Sequence, residues 1–170
     1  VATSGTVWNS STDTPASSTD WGLSSDKLTI TRTGASFSTQ VLAFGSTAKS
    51  SGTVIYTIVA CGTEDYVGFA TASETLFPGN SNTQQGISYR NDGTIRSAGG
   101  LVGTGLATWT AGDVIKCVKS GSSYSFYKNN VFQTTYDTAG DGANLTGAVY
   151  PAAADHGNLG TQITADFSGW

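Results

Sequence analysis

The chain predicts an all-β fold, a sandwich or barrel of short strands, and three observations carry that reading. Apolar or alternating runs recur at roughly eight- to twelve-residue intervals between clusters of Gly, Ser, Asn and Asp. Helix formers are scarce: Met is absent and Glu/Lys/Ala-rich windows are rare, whereas Thr, Val, Ile and Tyr abound. Charged residues make up only 12%, yet 11% are aromatic, which requires a packed core rather than a disordered chain. A length of 170 residues suits one domain, spanning residues 1–170 and able to bury roughly 70% of its unfolded surface.

The elements follow in order. Strands are expected at Thr6–Asn9, Lys27–Thr31, Gln40–Ala43, Thr53–Cys61, Tyr66–Ala70, Gly86–Tyr89 and Thr94–Arg96. Further strands are expected at Val114–Lys119, Tyr124–Lys128, Val131–Tyr136, Leu145–Pro151 and Gln162–Phe167. Asn91-Asp92-Gly93 is a tight-turn signal, because Asp-Gly takes the positive φ that hairpins require. The stretch Gly112–Phe132 reads as two strands joined by Ser120-Gly121-Ser122, the second closing on an Asn129-Asn130 turn. Ser10–Ser25, Ser73–Gln85, Thr138–Asn144 and Ala152–Gly160 read as loops, where a rigid sandwich usually carries its binding residues. Trp8, Trp109, Phe126, Tyr150, Phe167 and Trp170 fall in or beside strands and are assigned to the core.

Composition also excludes. A net charge of −4 with no basic stripe speaks against nucleic acid, which needs cations to displace counterions from phosphate. No apolar run is long enough to insert into a membrane as a helix. Cys61 and Cys117 lie in strand-like runs and could pair or stay as buried thiols; with a single His they do not make a zinc site. A first residue of Val in a chain without Met is expected of a piece excised from a longer protein.

The order of several motifs resembles a SPRY (B30.2-like) domain over nearly the whole chain. They are Val7-Trp8-Asn9, Leu28-Thr29-Ile30, Tyr56-Thr57-Ile58, Val67-Gly68-Phe69 and Tyr89 with Asn91-Asp92-Gly93. Gly112-Asp113-Val114-Ile115 with Cys117, Ser125 to Asn130, Val149-Tyr150-Pro151-Ala152 and Thr164 to Phe167 complete the series. Thr57 stands where the family has an acid, Lys116 where it often has Gly, and Asn130 where it has a turn Gly, a mild change because Asn tolerates the left-handed region.

The resemblance implies a concanavalin-like jelly-roll sandwich of two antiparallel sheets. It also implies a non-catalytic module that binds partners through loops at one end. Carried over by position, those loops are Asp13–Ala16 (with Asp13 and Pro15), Ala48–Ser50 (Lys49), Leu76–Asn80 (Phe77 and Asn80) and Asp155–Gly157 (Asp155 and His156). The residues themselves add an apolar anchor with a polar rim: Trp21, Tyr66, Phe77 and His156 in or near loops, with Asn80, Asn82, Gln84 and Gln85 beside Phe77. Aromatic faces next to amides suit a sugar, which stacks and hydrogen-bonds at once.

Other chemistries fare worse. A glycosidase needs two facing carboxylates, and the only glutamates, Glu64 and Glu74, occupy no alternating strand position. His156 has no nucleophile motif nearby. Asp137 to Asn144 lacks the spacing and closing Glu of a calcium loop and reads as an Asx turn. Asp113 reads as a turn cap. The sequence therefore points away from an enzyme, with no cofactor and no metal. It points to a recognition module of an extracellular, adhesin-like or virion-surface protein that takes a host glycan or other surface component. The alternatives are a cytoplasmic SPRY domain that grips a short peptide, and a structural domain that contacts only its neighbours in an assembly, copies of itself included.

Overall fold

A computed structural model describes residues 5–34, 40–74, 85–98, 100–143, 145–157 and 159–170. Its strands are β1 (Trp21–Leu23), β2 (Thr29–Arg32), β3 (Gln40–Phe44), β4 (Ser51–Ala60), β5 (Asp65–Ala70), β6 (Gly86–Arg90), β7 (Thr94–Ser97), β8 (Gly100–Gly103), β9 (Val114–Ser120), β10 (Ser123–Lys128), β11 (Val131–Asp137), β12 (Tyr150–His156) and β13 (Gln162–Asp166). They form two antiparallel sheets, a seven-stranded one ordered β1-β2-β13-β4-β9-β10-β11 and a six-stranded one ordered β3-β12-β5-β6-β7-β8. This is the predicted two-sheet sandwich.

Period-2 alternation explains the layers. In β9 the burial pattern places Ile115, Cys117 and Lys119 inward and Lys116 and Val118 outward. Inward residues of both sheets meet in one core containing Trp8, Ile30, Tyr56, Ile58, Phe69, Tyr89 and Phe126. Trp8 meets Phe167 edge-on at 5.3 Å between ring centroids, and Phe69 stacks on Trp170 at 5.0 Å. The Tyr56 hydroxyl crosses the sandwich to donate to the Gly68 carbonyl at 2.8 Å. The expected turns are present: Gly93 has φ 85°, and Asn129 and Asn130 have φ 48° and 65°, the pair of positive values that a two-residue hairpin turn requires.

Four expectations need correction. Thr6–Asn9 contributes only an isolated bridge, Trp8 to Gly45. Trp21–Leu23, inside a stretch read as loop, is a strand because it pairs with β2, Trp21 opposite Arg32. Gly100–Gly103 forms β8, hidden by its glycines. The strand expected at Leu145–Pro151 runs instead from Tyr150 to His156, so Ala152–His156 is not a loop. Three consecutive alanines carry little strand propensity, but between β3 and β5 their small side chains fit both faces, and context overrides propensity.

The cysteines do not bridge. Cys117 lies opposite Val54, while Cys61 follows the far end of the same strand, roughly 20 Å away at the rise of a β-strand. Both thiols are free; burial raises Cys61 to about 12 and pushes Cys117 well up.

Lys119 is the surprise in this core. It is 1% exposed, and its Nζ donates to the Gly121 carbonyl at 2.5 Å, the Tyr124 hydroxyl at 2.8 Å and the Leu145 carbonyl at 3.0 Å. Burial lowers its pKa to about 8. Between that value and the ordinary value near 10.4, the unfolded chain holds a proton that the folded chain has released. Stability contributed through this group should therefore rise with pH across the window, by at most about 1.4 kcal/mol per pH unit. Urea unfolding from pH 7 to 10 should show this rise for the wild type and lose it in Lys119→Met; parallel profiles would refute the assignment.

Candidate functional site

The six-stranded sheet has two ends. At one, β5 begins and β12 finishes, with Asp65 opposite Asp155. At the other stand Tyr150, Ala70 and Gly86. Alternation along β12 decides what each side chain does at the first end. Ala153 packs in the inter-sheet core while Ala152 and Ala154 join a separate cluster on the outer face; Asp155 therefore points inward and His156 outward.

The inward group is a buried charge network. Arg32 of β2 has a side chain 0% exposed, with Nε 3.4 Å from Asp155, itself 0% exposed, and Nη1 3.0 Å from Asp20. Asp65 beside it accepts from the Gly62 amide at 2.5 Å and from the Thr161 hydroxyl at 3.2 Å. Two buried carboxylates are tolerated here because an arginine and hydrogen-bond donors replace the water they lose.

The outward group is a half-exposed rim. His156 Nδ1 lies 2.6 Å from Glu64 Oε2, Glu64 Oε1 lies 2.7 Å from Arg90 Nη2, and Arg90 Nη1 lies 3.2 Å from Asp92. The Arg90 guanidinium sits 5.6 Å from the centroid of Tyr66. Burial raises the Tyr66 phenol above its ordinary pKa, with Arg90 and Arg96 acting against that rise. This chain of donors and acceptors beside an aromatic ring can orient a polar ligand. Glu64 precedes β5 and Glu74 follows it, so a strand roughly 17 Å long runs between them and they are not set face to face as a glycosidase pair. Among the described residues no group of three His, Cys, Asp or Glu is placed to hold a metal ion.

Of the predicted site residues, Tyr66, Asp155 and His156 come together here. Their setting differs from expectation: all three are in strands, Tyr66 is 4% exposed and Asp155 is a core ion pair. Trp21 is also no loop anchor, being 6% exposed and packed in the main core. Lys49 is exposed but lies at the other end, bridged to Val149 beside Tyr150. Asp13 ties its own loop: its carboxylate accepts from the Ser10 amide at 2.6 Å and hydroxyl at 2.8 Å, the amide bond first among the causes that hold its pKa down. Pro15 is buried, and its carbonyl accepts from Asn9 at 2.8 Å. Phe77, Asn80 and Asn82 lie outside the described residues.

The sequence reading missed Glu64 and Arg90, which flank Tyr66 across the β5–β6 pair. Register alone would have revealed them, since the Asn91–Gly93 turn fixes which residues lie opposite. A separate groove of about 610 Å³, lined by Leu28, Thr57, Thr164, Asp166 and Phe167 among others, contains none of the predicted residues.

No protein-family model matches this chain, and no curated protein sequence does. Solved structures do match. The SPRY domain of human HERC1 shares 18% identity at a TM-score of 0.71, over 87% of this chain and 92% of that one. A human SPRY domain shares 16% at 0.67, over 89% and 97%. The carbohydrate-binding module CBM66 from Bacillus subtilis shares 9% at 0.57, over 96% and 94%. The fold is a SPRY-type sandwich.

Asp155→Ala should cost about 3–5 kcal/mol by leaving Arg32 without its buried partner, whereas His156→Ala should stay within about 0.5 kcal/mol as a surface change. Denaturant titration of both variants checks this; a loss for Asp155→Ala below about 1 kcal/mol would remove the network from the stability account.

Proposed function

We propose that this chain is a non-catalytic recognition module of a surface-exposed protein, of the adhesin or virion-fibre kind. Its ligand is a host-cell glycan or another surface component. The observation that carries the reading is the rim at the β5–β12 end, where His156, Glu64 and Arg90 form a hydrogen-bonded chain around Tyr66 on the fold described above. A sugar needs fixed donors and acceptors for its hydroxyls, which this rim supplies, and a flat apolar face against its ring, for which Phe77 is proposed because Tyr66 is buried. The likeness in fold to a bacterial carbohydrate-binding module supports the same reading. Phe77, Asn80 and Asn82 are proposed to contribute from the segment that follows β5.

A second reading has its own support: the SPRY domains match with higher TM-scores than the carbohydrate module. In that reading the same rim grips a short peptide in the cytoplasm. A third, a structural domain of an assembly, expects self-association and no ligand.

A glycan array separates them. At least one glycan class should bind, and His156→Ala and Phe77→Ala should each weaken it about tenfold, equivalent to about 1.4 kcal/mol, without changing the melting temperature. Silence across the array, with retention of one immobilised extended peptide, would replace the glycan reading with the peptide one. Silence on both, with a tight oligomer by light scattering, would leave the structural domain.

A further inference from the structure

The outer face of the seven-stranded sheet is open to solvent, and strand pairing sets its side chains in rows. The central row runs Asp166, Ile55, Lys116, Tyr127 and Phe132, each opposite the next from β13 to β11. Ala165, Val54, Ile115 and Phe126 beside them in sequence pack in the core, so the first four of the row point outward. Phe132 joins them, its ring 5.5 Å from that of Tyr127. Asp166 and Phe132 are exposed, and Ile55, Lys116 and Tyr127 are partly so. The rows on either side consist of Thr, Ser and Val, so Lys116 and Asp166 are the charges of this surface.

The two ends of this row differ in shape. At the β11 end stands the aromatic pair, Phe132 55% exposed and the Tyr127 ring under Lys116 Nζ at 4.1 Å from its centroid. At the β13 end lies the groove of about 610 Å³, lined by Gly5, Thr6, Leu28 and Asp166 among others. It extends beyond β13, because the Ala165 amide donates to the Leu28 carbonyl and the Trp8 amide to the Lys27 carbonyl, which places the first residues at that edge. β4, with Ile55, runs between these ends. Lys116 is one strand to one side of it and Asp166 one strand to the other. Phe132 is three strands out, and the Gly5–Thr6 wall of the groove is at a similar distance on the opposite side. A twofold axis lying along β4 in the plane of contact reverses the order of strands and keeps position along them. Lys116 then meets Asp166 of a second copy, at two symmetry-related places, Ile55 meets its own counterpart, and Phe132 comes over the groove. Such self-complementarity is what an isologous dimer requires.

We propose that this face binds a second copy of the chain, the two sandwiches packing sheet to sheet across a twofold axis along β4. Charge complementarity selects the occupant: one cation and one anion equidistant from the central strand match the same pair reversed. The face from β2 to β11 is about 24 Å wide at the usual strand spacing, and seven residues of β4 are about 23 Å long, so each copy covers roughly 550 Å². Together the copies pass the total of about 1,000 Å² that a specific interface needs, at the small end of the range, and the dimer is reversible. Twisted sheets pack about 10 Å apart and within about 30° of alignment, which this arrangement allows. The rim at the β5–β12 end belongs to the other sheet and stays open, so the dimer presents two rims whatever they bind.

Sedimentation equilibrium of the full chain across a concentration series tests this. The wild type should pass from monomer to dimer mass. Lys116→Glu and Asp166→Lys should each weaken self-association at least about a hundredfold, because like charges then face each other at both symmetry-related places. Mixed in equal amounts, the two variants should recover the dimer, since every facing pair is again of opposite sign. Both changes are on the surface, so each variant should keep its melting temperature when dilute. Phe132→Ala should weaken the dimer about tenfold. A wild type that stays monomeric or assembles beyond a dimer, or a mixture of folded variants that stays monomeric, would overturn the proposal and leave the glycan reading standing. A monomeric wild type whose glycan binding is lost in Phe132→Ala would also overturn it and give this face to the ligand.

Discussion

Arg32 holds the two sheets together at the end where the candidate rim lies. Its backbone belongs to the seven-stranded sheet, and its buried guanidinium reaches Asp155 in the six-stranded one. A buried ion pair of this kind adds little net stability compared with a well-packed apolar pair, but losing one partner is costly, so it penalises wrong arrangements. Here the penalised arrangement is a shift of β12. A slip by one residue would turn Asp155 to the outer face and bring His156 into the core. The pairing of Asp155 with Arg32 and the meeting of His156 with Glu64 are thus two results of one register.

That dependence explains what could be read in the sequence and what could not. The Gly112–Phe132 hairpin was fully legible, because its alternation and its Asn129-Asn130 turn are local signals. Alternation also put Lys119 on the same face as Cys117, so its burial was available to a reader who trusted the pattern over the usual habit of lysine. Tyr66 and His156 were legible as candidates by residue type. Their surroundings were not, because Glu64, Arg90 and Arg32 reach them through pairing between distant parts of the chain. Ala152–Ala154 concealed a central strand for the same reason: nothing local distinguishes it from a loop. Trp21 was read as an anchor because it falls in the stretch Ser10–Ser25 assigned to a loop, although three paired residues suffice to carry it into the core.

The two faces of the six-stranded sheet treat their polar residues differently. Inward, Asp65 and Asp155 are compensated by named donors and a cation. Outward, His156, Glu64, Arg90 and Asp92 are linked by ion pairs at the rim, and the Arg90 guanidinium lies against the Tyr66 ring.

The strand order has a consequence for how the chain comes into being. β12 is the second strand of one sheet, between β3 and β5, and β13 is the third of the other, between β2 and β4. When synthesis has reached residue 149, the flanks of both sheets are present and an interior strand is still missing from each. Such a nascent chain cannot close its sandwich, and the contacts it awaits span most of its length, the kind of topology that folds slowly. The fold is therefore completed only by its last two strands, however far apart in the chain their partners lie.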